Sequence, residues 1–311
     1  MLVNGSTRAE ITARLGAAAQ YRFWLLVSWL GQRLPQRVNY MVAAGMGIAG
    51  YYLWPRGRRA LHRNYARVLR GYPEQQIRRV ARASLVNYCR YLADFIRFPS
   101  LSSHQLRARC HGEEAFALLD KVLEKGKGAI IVCMHFGNWD LGAAAAAARG
   151  YPLTVVAETF RDPRLDAMVV GSRQRLGMQV IPMEKAGPSL IRTLKQNGLL
   201  ALLIDRPVPG EGVPVQFFGE TIEVPAGPAR LALRTGAPVI PTAFVRRHPD
   251  SDEVETLTDF SISLEPTGDD ERDIRELTQA IVSAHERFIR SHPDQWYMFR
   301  EMWTRPKEAV P

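Results

Sequence analysis

Residues 129–140 read AIIVCMHFGNWD. The first six, 129–134, are a continuous apolar run, as expected of a strand covered on both faces. Polarity changes at His135. Phe136 and Gly137 make a turn, and Asn138 is a favourable N-cap. A helix is then expected up to Arg149, carrying the alanine run 143–148 and ended by Gly150. Strand, short turn and helix form the repeating unit of an open α/β sheet. Polar residues at the carboxyl end of such a strand stand where ligand crevices form.

The pattern repeats on either side. Residues 113–124 have helical periodicity, stopped by Gly126 and Gly128. Strands are expected at 153–157 and 179–182, and at 199–204 (LLALLI), a second fully apolar run. Helices are expected at 162–176, 189–196 and 228–234, the last opening on Pro228. Residues 213–218 and 221–224 flank Gly219 as a hairpin. A strand follows at 238–245, an alternating edge strand at 254–264, and an amphipathic helix at 272–290 that uses Ile274, Leu277, Ile281, Phe288 and Ile289. Residues before about 100 read as helices, with Leu85, Tyr88, Tyr91, Leu92 and Phe95 at helical spacing. The expectation is an α/β core at 101–311, a mixed, largely parallel central sheet covered by helices on both faces. It follows a helical, membrane-associating region at 1–100.

Composition narrows the function. Apolar residues are 46% of the 311, enough for a substantial core. Cys89, Cys110 and Cys133 have neither metal-site spacing nor an even count, so they read as free or buried thiols. The formal charge of +10 is concentrated: residues 56–97 hold eleven arginines against Glu74 and Asp94. Just before them, 38–54 (VNYMVAAGMGIAGYYLW) is uncharged, and 21–30 (YRFWLLVSWL) has one arginine in an apolar, aromatic run. Both are short of the roughly 20 residues of a spanning helix. Apolar segment, aromatic belt and arginines in that order suit an anionic membrane surface. The expected location is the inner face of the cytoplasmic membrane, peripheral or monotopic. A single N-terminal span and a plain core helix at 38–54 are the alternatives. No cleavable signal peptide is indicated. Nucleic acid is not expected as a partner, because no nucleic-acid fold motif accompanies the arginines.

The chemistry centres on His135 and Asp140. The first helical turn favours a carboxylate at Asp140. From there it can turn back to the imidazole, fixing one ring nitrogen as donor and leaving the other to accept a proton. That is the base and orienter of a triad without a protein nucleophile, so a substrate hydroxyl would attack, naturally on an acyl thioester. Asp205 and Arg206 end the 199–204 strand, either as substrate contacts or as a local ion pair. Phe217, Phe218 and Gly219 line an acyl channel or belong to the core. Residues 226–228 offer backbone N–H groups at a helix start. His62, His104, His111, His248, His285 and His292 read as surface or packing residues.

With these residues in view, MHFGNWD (134–140) resembles the H-x4-D/E motif of the glycerolipid acyltransferase superfamily. It is most similar to the branch of lipid A lauroyl/myristoyl and phosphatidylinositol mannoside acyltransferases. Residues 205–247 (DRPVPGEGVPVQFFGETIEVPAGPARLALRTGAPVIPTAFVRR), 292–306 (HPDQWYMFREMWTRP) and 61–99 resemble further blocks of that family, so the likeness covers roughly 20–306. It implies transfer of a fatty acyl chain from acyl-CoA or acyl carrier protein to a hydroxyl of a membrane glycolipid. The donor is a co-substrate, and no cofactor or metal is implied. It implies His135 as general base with Asp140 as its partner. Glu211 is a candidate for a second supporting acid, as is Asp205. Asp in the last motif position, where lipid A enzymes often have Glu, is nearer the mannoside-lipid pattern. Glu158, Arg161 and Arg173 resemble a block lining the acceptor groove, where arginines can clamp an anionic group. Arg164 and Arg175 read as solvated. A non-catalytic lipid or polyanion binder and an acyl-thioester hydrolase stay open. The hydrolase would need His135 to activate water, since no G-x-S-x-G elbow is present.

Overall fold

The computed structural model describes residues 8–160, 162–206, 212–263 and 265–303, with side chains from residue 21 onward. Four helices come first: α1 (Arg8–Arg33), α2 (Gln36–Leu53), α3 (Pro55–Val68) and α4 (Glu74–Arg97). The core follows as α5 (Ser103–Arg109), β1 (Cys110–His111), α6 (Glu113–Leu123), β2 (Ala129–Cys133), α7 (Trp139–Ala148), β3 (Leu153–Ala157), α8 (Pro163–Arg175) and β4 (Gln179–Pro182). It continues through α9 (Gly187–Lys195), β5 (Leu199–Leu203), β6 (Gly212–Phe217), β7 (Glu220–Pro225), α10 (Gly227–Thr235), β8 (Val239–Arg246), β9 (Val254–Thr258) and α11 (Asp270–Ser291).

Seven strands form one sheet in the order β1-β9-β8-β2-β5-β3-β4, while β6 and β7 pair as a separate antiparallel hairpin. All pairings within the large sheet are parallel except β8 with β9. The α/β class and the mixed, largely parallel sheet are as the sequence predicts. β2 lies at the centre, which explains its unbroken apolar run. Ile130 and Val132 enter one core with Leu200, Val239, Ile281 and Trp296. Ala129, Cys133 and the partly buried Ile131 enter another with Leu141, Ala144, Leu199 and Phe244.

One expected strand differs in two respects. The 254–264 strand ends at Thr258, because Asp259 Oδ1 accepts from the Ser261 backbone N–H at 2.9 Å and closes a local turn. It is also not an edge, since the two-residue β1 pairs on its outer side.

The first core includes Leu61, Tyr65, Ile77 and Leu85 of α3 and α4, so these helices share apolar burial with the sheet. Polar ties add to it. Arg246 of β8 donates to Asp94 of α4 at 2.6 Å, and Tyr40 of α2 donates to the same carboxylate at 2.5 Å. All three are buried. Helix α2 packs Tyr40, Ala43, Gly47 and Tyr51 inward. A Cβ on Gly47 would stand 2.6 Å from Val86 Cα, so glycine permits the close approach to α4. The opposite face exposes Met41, Val42, Met46 and Leu53, and α1 exposes Phe23, Leu26 and Trp29. Residues 38–54 are therefore half core helix and half uncovered apolar surface. Among the described residues no helix is long and apolar enough to cross a membrane.

His285 of α11 is fully buried, its Nε2 3.0 Å from the Val132 carbonyl of β2. Burial pushes its pKa from 6.5 down to about 4. The unfolded chain therefore binds a proton first. Stability is complete above pH 6.5 and falls as pH drops toward 4, by roughly 3 kcal/mol. Chemical denaturation across that window should show the slope in the native chain. In His285→Gln the slope should be shallower by about one proton.

Candidate active site

The sheet register assembles the site. Parallel pairing sets Ala129 opposite Leu199 and Cys133 opposite Leu203, an offset of 70. Two residues beyond each strand the same offset sets His135 beside Asp205. Strand alternation turns both to the face carrying Ile131, Cys133, Ala201 and Leu203. Nδ1 of His135 is 2.7 Å from Asp205 Oδ1, and Asp205 Oδ2 accepts the His135 backbone N–H at 2.8 Å. One carboxylate thus fixes both the ring and its peptide. The Asp205 side chain is fully buried. Burial alone would raise its pKa, but the His135 ring, both hydrogen bonds and the Arg206 charge together hold it below the usual aspartate value. An ionised carboxylate only accepts, so Nδ1 carries the shared hydrogen, and in the neutral ring Nε2 keeps the lone pair.

The turn that presents His135 is clamped on both sides. Gly137 has φ +68°, and a Cβ there would lie 2.0 Å from the Phe244 carbonyl oxygen, so only glycine fits. Gly137 N–H donates to the Gln295 carbonyl at 2.8 Å, and Tyr297 N–H donates to the His135 carbonyl at 2.8 Å. The Asn138 N–H donates to the Phe244 carbonyl at 2.7 Å. The 295–297 segment is itself held by α3 and α4, where Tyr65 and Ser84 donate to the Trp296 carbonyl at 2.6 and 2.8 Å. Asn138 caps α7 by accepting from Leu141 N–H at 3.2 Å, and its amide donates to Asp94 at 3.1 Å.

This corrects the expected pairing of His135 with Asp140. Asp140, on the first turn of α7, is buried and accepts from Arg173 Nε and Nη2 at 2.8 and 3.1 Å and from the Tyr91 hydroxyl at 2.7 Å. The Asn138 cap starts the helix in an orientation that turns Asp140 toward α4 and α8, while the β2–β5 register has already supplied a carboxylate to the ring. Burial opposes the Arg173 cation, but the Asp140 charge and hydrogen bonds outweigh it and keep Arg173 firmly protonated. Aromatic rings connect Asp140 to His135. Tyr91 packs on Trp139 with centroids 4.2 Å apart, and Trp139 meets the His135 ring edge-on at 5.2 Å.

The His135 side chain, 14% exposed, opens into a cavity of about 1160 Å³ at the carboxyl end of the sheet. One arm runs under α7, lined by Ala143 and Ala146 and by Ile131, Val155 and Ala201, while Gly142 makes room for the Phe244 ring. Residues of the opposite strand face, Val156, Leu202 and Ile204, line it too, together with α9 and α10. Glu158 and Arg206 both line it and pair at 3.0 Å, each partly exposed. Gly227 and Pro228 at the start of α10 also face it.

The other expected positions fall as follows. Asp205 takes the second of its expected roles, support of His135 rather than substrate contact, and the Arg173 guanidinium is engaged by Asp140 although it still borders the cavity. Arg161 and Glu211 lie outside the described residues. Arg164 pairs with Asp162 in solvent. Phe217 and Phe218 are core residues, packed on Trp303 rather than on the cavity. Tyr91 and the 295–297 clamp were not expected at the site. The helical spacing of Tyr88, Tyr91 and Phe95 marks a buried face, but no local signal says that the face borders the cavity.

Removing Asp140 would leave the Arg173 cation buried without a partner. Asp140→Ala should cost about 3–5 kcal/mol, and adding Arg173→Leu should restore much of it. Urea denaturation of the two variants measures both.

Comparison with known proteins identifies the family. The family described as bacterial lipid A biosynthesis acyltransferase matches residues 8–305. The chain is 30% identical over 291 residues to a phosphatidylinositol mannoside acyltransferase of Mycolicibacterium smegmatis, covering 88% of this chain and 89% of that protein. It is 31% identical over 262 residues to one from Mycobacterium tuberculosis, covering 82% and 80%. A family match across nearly the whole chain, supported by relatives at this identity, means that the chain belongs to the bacterial lipid A biosynthesis acyltransferase family and is an acyltransferase.

Proposed function

We propose that this acyltransferase moves a fatty acyl chain from an acyl thioester, acyl-CoA or acyl carrier protein, to a hydroxyl of a membrane glycolipid, with His135 as general base and Asp205 as its orienter. The observation that carries this reading is the 2.7 Å contact of His135 Nδ1 with a buried carboxylate, while the ring opens into a large, mainly apolar cavity. Relatives named for phosphatidylinositol mannoside point to a mannosylated phosphoinositide as the acceptor class.

His135 Nε2 takes the proton of the acceptor hydroxyl as the oxygen attacks the thioester carbonyl. The tetrahedral intermediate collapses, the C–S bond breaks, and the imidazolium returns its proton to the thiolate. Asp205 stays ionised and stabilises the imidazolium between the two steps. The backbone N–H of Gly227, at the start of α10, is suited to the oxyanion. The acyl chain lies in the arm under α7, where small side chains leave space. Glu158 and Arg206 meet the polar end of a substrate at the rim. Asp140 and Arg173 act at one remove, fixing Tyr91 and thereby Trp139 against the base. The uncovered apolar faces of α1 and α2, with the arginines that follow, rest on the anionic membrane surface and bring the cavity to its acceptor.

Incubation with radiolabelled acyl-CoA, or acyl carrier protein, and purified mannolipid, followed by thin-layer chromatography, tests this. Labelled acylated glycolipid is expected. His135→Ala should lower transfer by about 10²–10⁴-fold, with Asp205→Asn also strongly reduced. Labelled free fatty acid as the sole product would identify a hydrolase. Unchanged transfer in His135→Ala would overturn the mechanism.

A further inference from the structure

A second cavity, of about 610 Å³, lies where α2 ends and α3 and α4 begin. It is lined by Tyr51, Tyr52, Arg58, His62, Gln75, Arg78, Arg79 and Arg82, and shares no lining residue with the site at His135. Four guanidinium groups therefore surround one hollow. Glu74 takes Arg78 at 2.9 Å and stands 3.9 Å from His62. Among the described residues Arg58, Arg79 and Arg82 have no carboxylate within ion-pair distance. Like charges gathered this way repel one another, so the arrangement costs stability unless an anion joins it.

The floor of the hollow is polar. The Tyr51 hydroxyl and His62 Nε2 are 2.5 Å apart, and the Arg58 guanidinium lies 5.9 Å from the Tyr51 ring centroid. The charges of Arg58, Arg78 and Arg82 all act on that hydroxyl, opposing the upward push of its burial. Cations converging on one polar point, with planar forks free to bind in pairs, match the oxygens of a phosphate. Tyr52 lines the hollow, and it and the next two residues, Leu53 and Trp54, are all exposed, Leu53 by 81%. An apolar, aromatic tip beside an arginine hollow is the pairing a phospholipid presents in reverse, acyl chain next to headgroup.

We propose that the hollow bounded by Arg58, Arg78, Arg79 and Arg82 over Tyr51 and His62 is a phosphate-binding site, separate from the catalytic cavity, that takes the headgroup of an anionic phospholipid while Leu53 and Trp54 enter the lipid. The membrane-surface reading above supplies only the source of the phosphate. The pocket stands on its own residues.

The test compares the native chain, Arg79→Gln/Arg82→Gln, and the control Arg56→Gln/Arg59→Gln, which removes two exposed arginines of α3 outside the hollow. Each is sedimented with phosphatidylcholine vesicles, and with the same vesicles enriched in phosphatidylglycerol. Each is also titrated with sn-glycerol 3-phosphate and inorganic phosphate, observed by ³¹P line broadening. The hollow variant should lose about tenfold or more of the affinity gained from the anionic lipid, the control clearly less. Broadening of glycerol phosphate should vanish in the hollow variant and persist in the control. Equal losses in both variants, or none in either, would overturn the site. If no vesicle binds the native chain, the membrane reading fails by itself. Selective phosphate broadening would then uphold the site with a soluble source, and its absence would overturn it.

Discussion

The contact between His135 and Asp205 is the constraint on which the rest depends. It joins two loops 70 residues apart, and no bond within either loop could create it. Parallel pairing of β2 with β5 brings it about, because the register of five residue pairs sets where the next two residues go. Much of the remaining structure serves to keep that meeting place fixed. Gly137 allows the chain to turn under Phe244, and the 295–297 segment closes over the turn. A base held this way loses little freedom when substrate binds, which is the advantage of preorganisation.

Buried ion pairs carry the same logic outward. Arg246 with Asp94 is deeply buried, Arg173 with Asp140 largely so, and each pair is supported by a tyrosine hydroxyl. Such pairs add little net stability over apolar packing, yet breaking one is costly, so they favour a single arrangement of helices. Here Arg246 with Asp94 ties β8 to α4, while Arg173 with Asp140 ties α8 to α7 and is joined to α4 through Tyr91. Asn138 joins them to the site, capping α7 with one end of its amide and meeting Asp94 with the other. The aromatic series Tyr91, Trp139 and His135 gives Asp140 an influence on the base without contact.

Much of this was legible in the sequence. Unbroken apolar runs at 129–134 and 199–204 announced inner parallel strands, and the histidine directly after the first marked the functional end of the sheet. The exposed and buried halves of 38–54 were not separable by composition, since both are apolar. The partner of His135 is what local spacing does not reveal. Local spacing made Asp140 attractive, because it lies five residues away on a helix start. Strand register is a long-range property with no local trace, so Asp205 entered only as a strand-end acid and as an alternative support. Phe217 and Phe218 were ambiguous for the same reason: an apolar residue does not show by type whether it faces a core or a channel.

The most direct test of the central claim is nitrogen-15 and proton NMR of the His135 imidazole in the native chain, Asp205→Asn and Asp140→Asn. A hydrogen shared with a buried carboxylate resonates far downfield and fixes one tautomer. A downfield Nδ1–H is expected in the native chain, surviving in Asp140→Asn and lost or strongly shifted in Asp205→Asn. Loss in Asp140→Asn with retention in Asp205→Asn would contradict it.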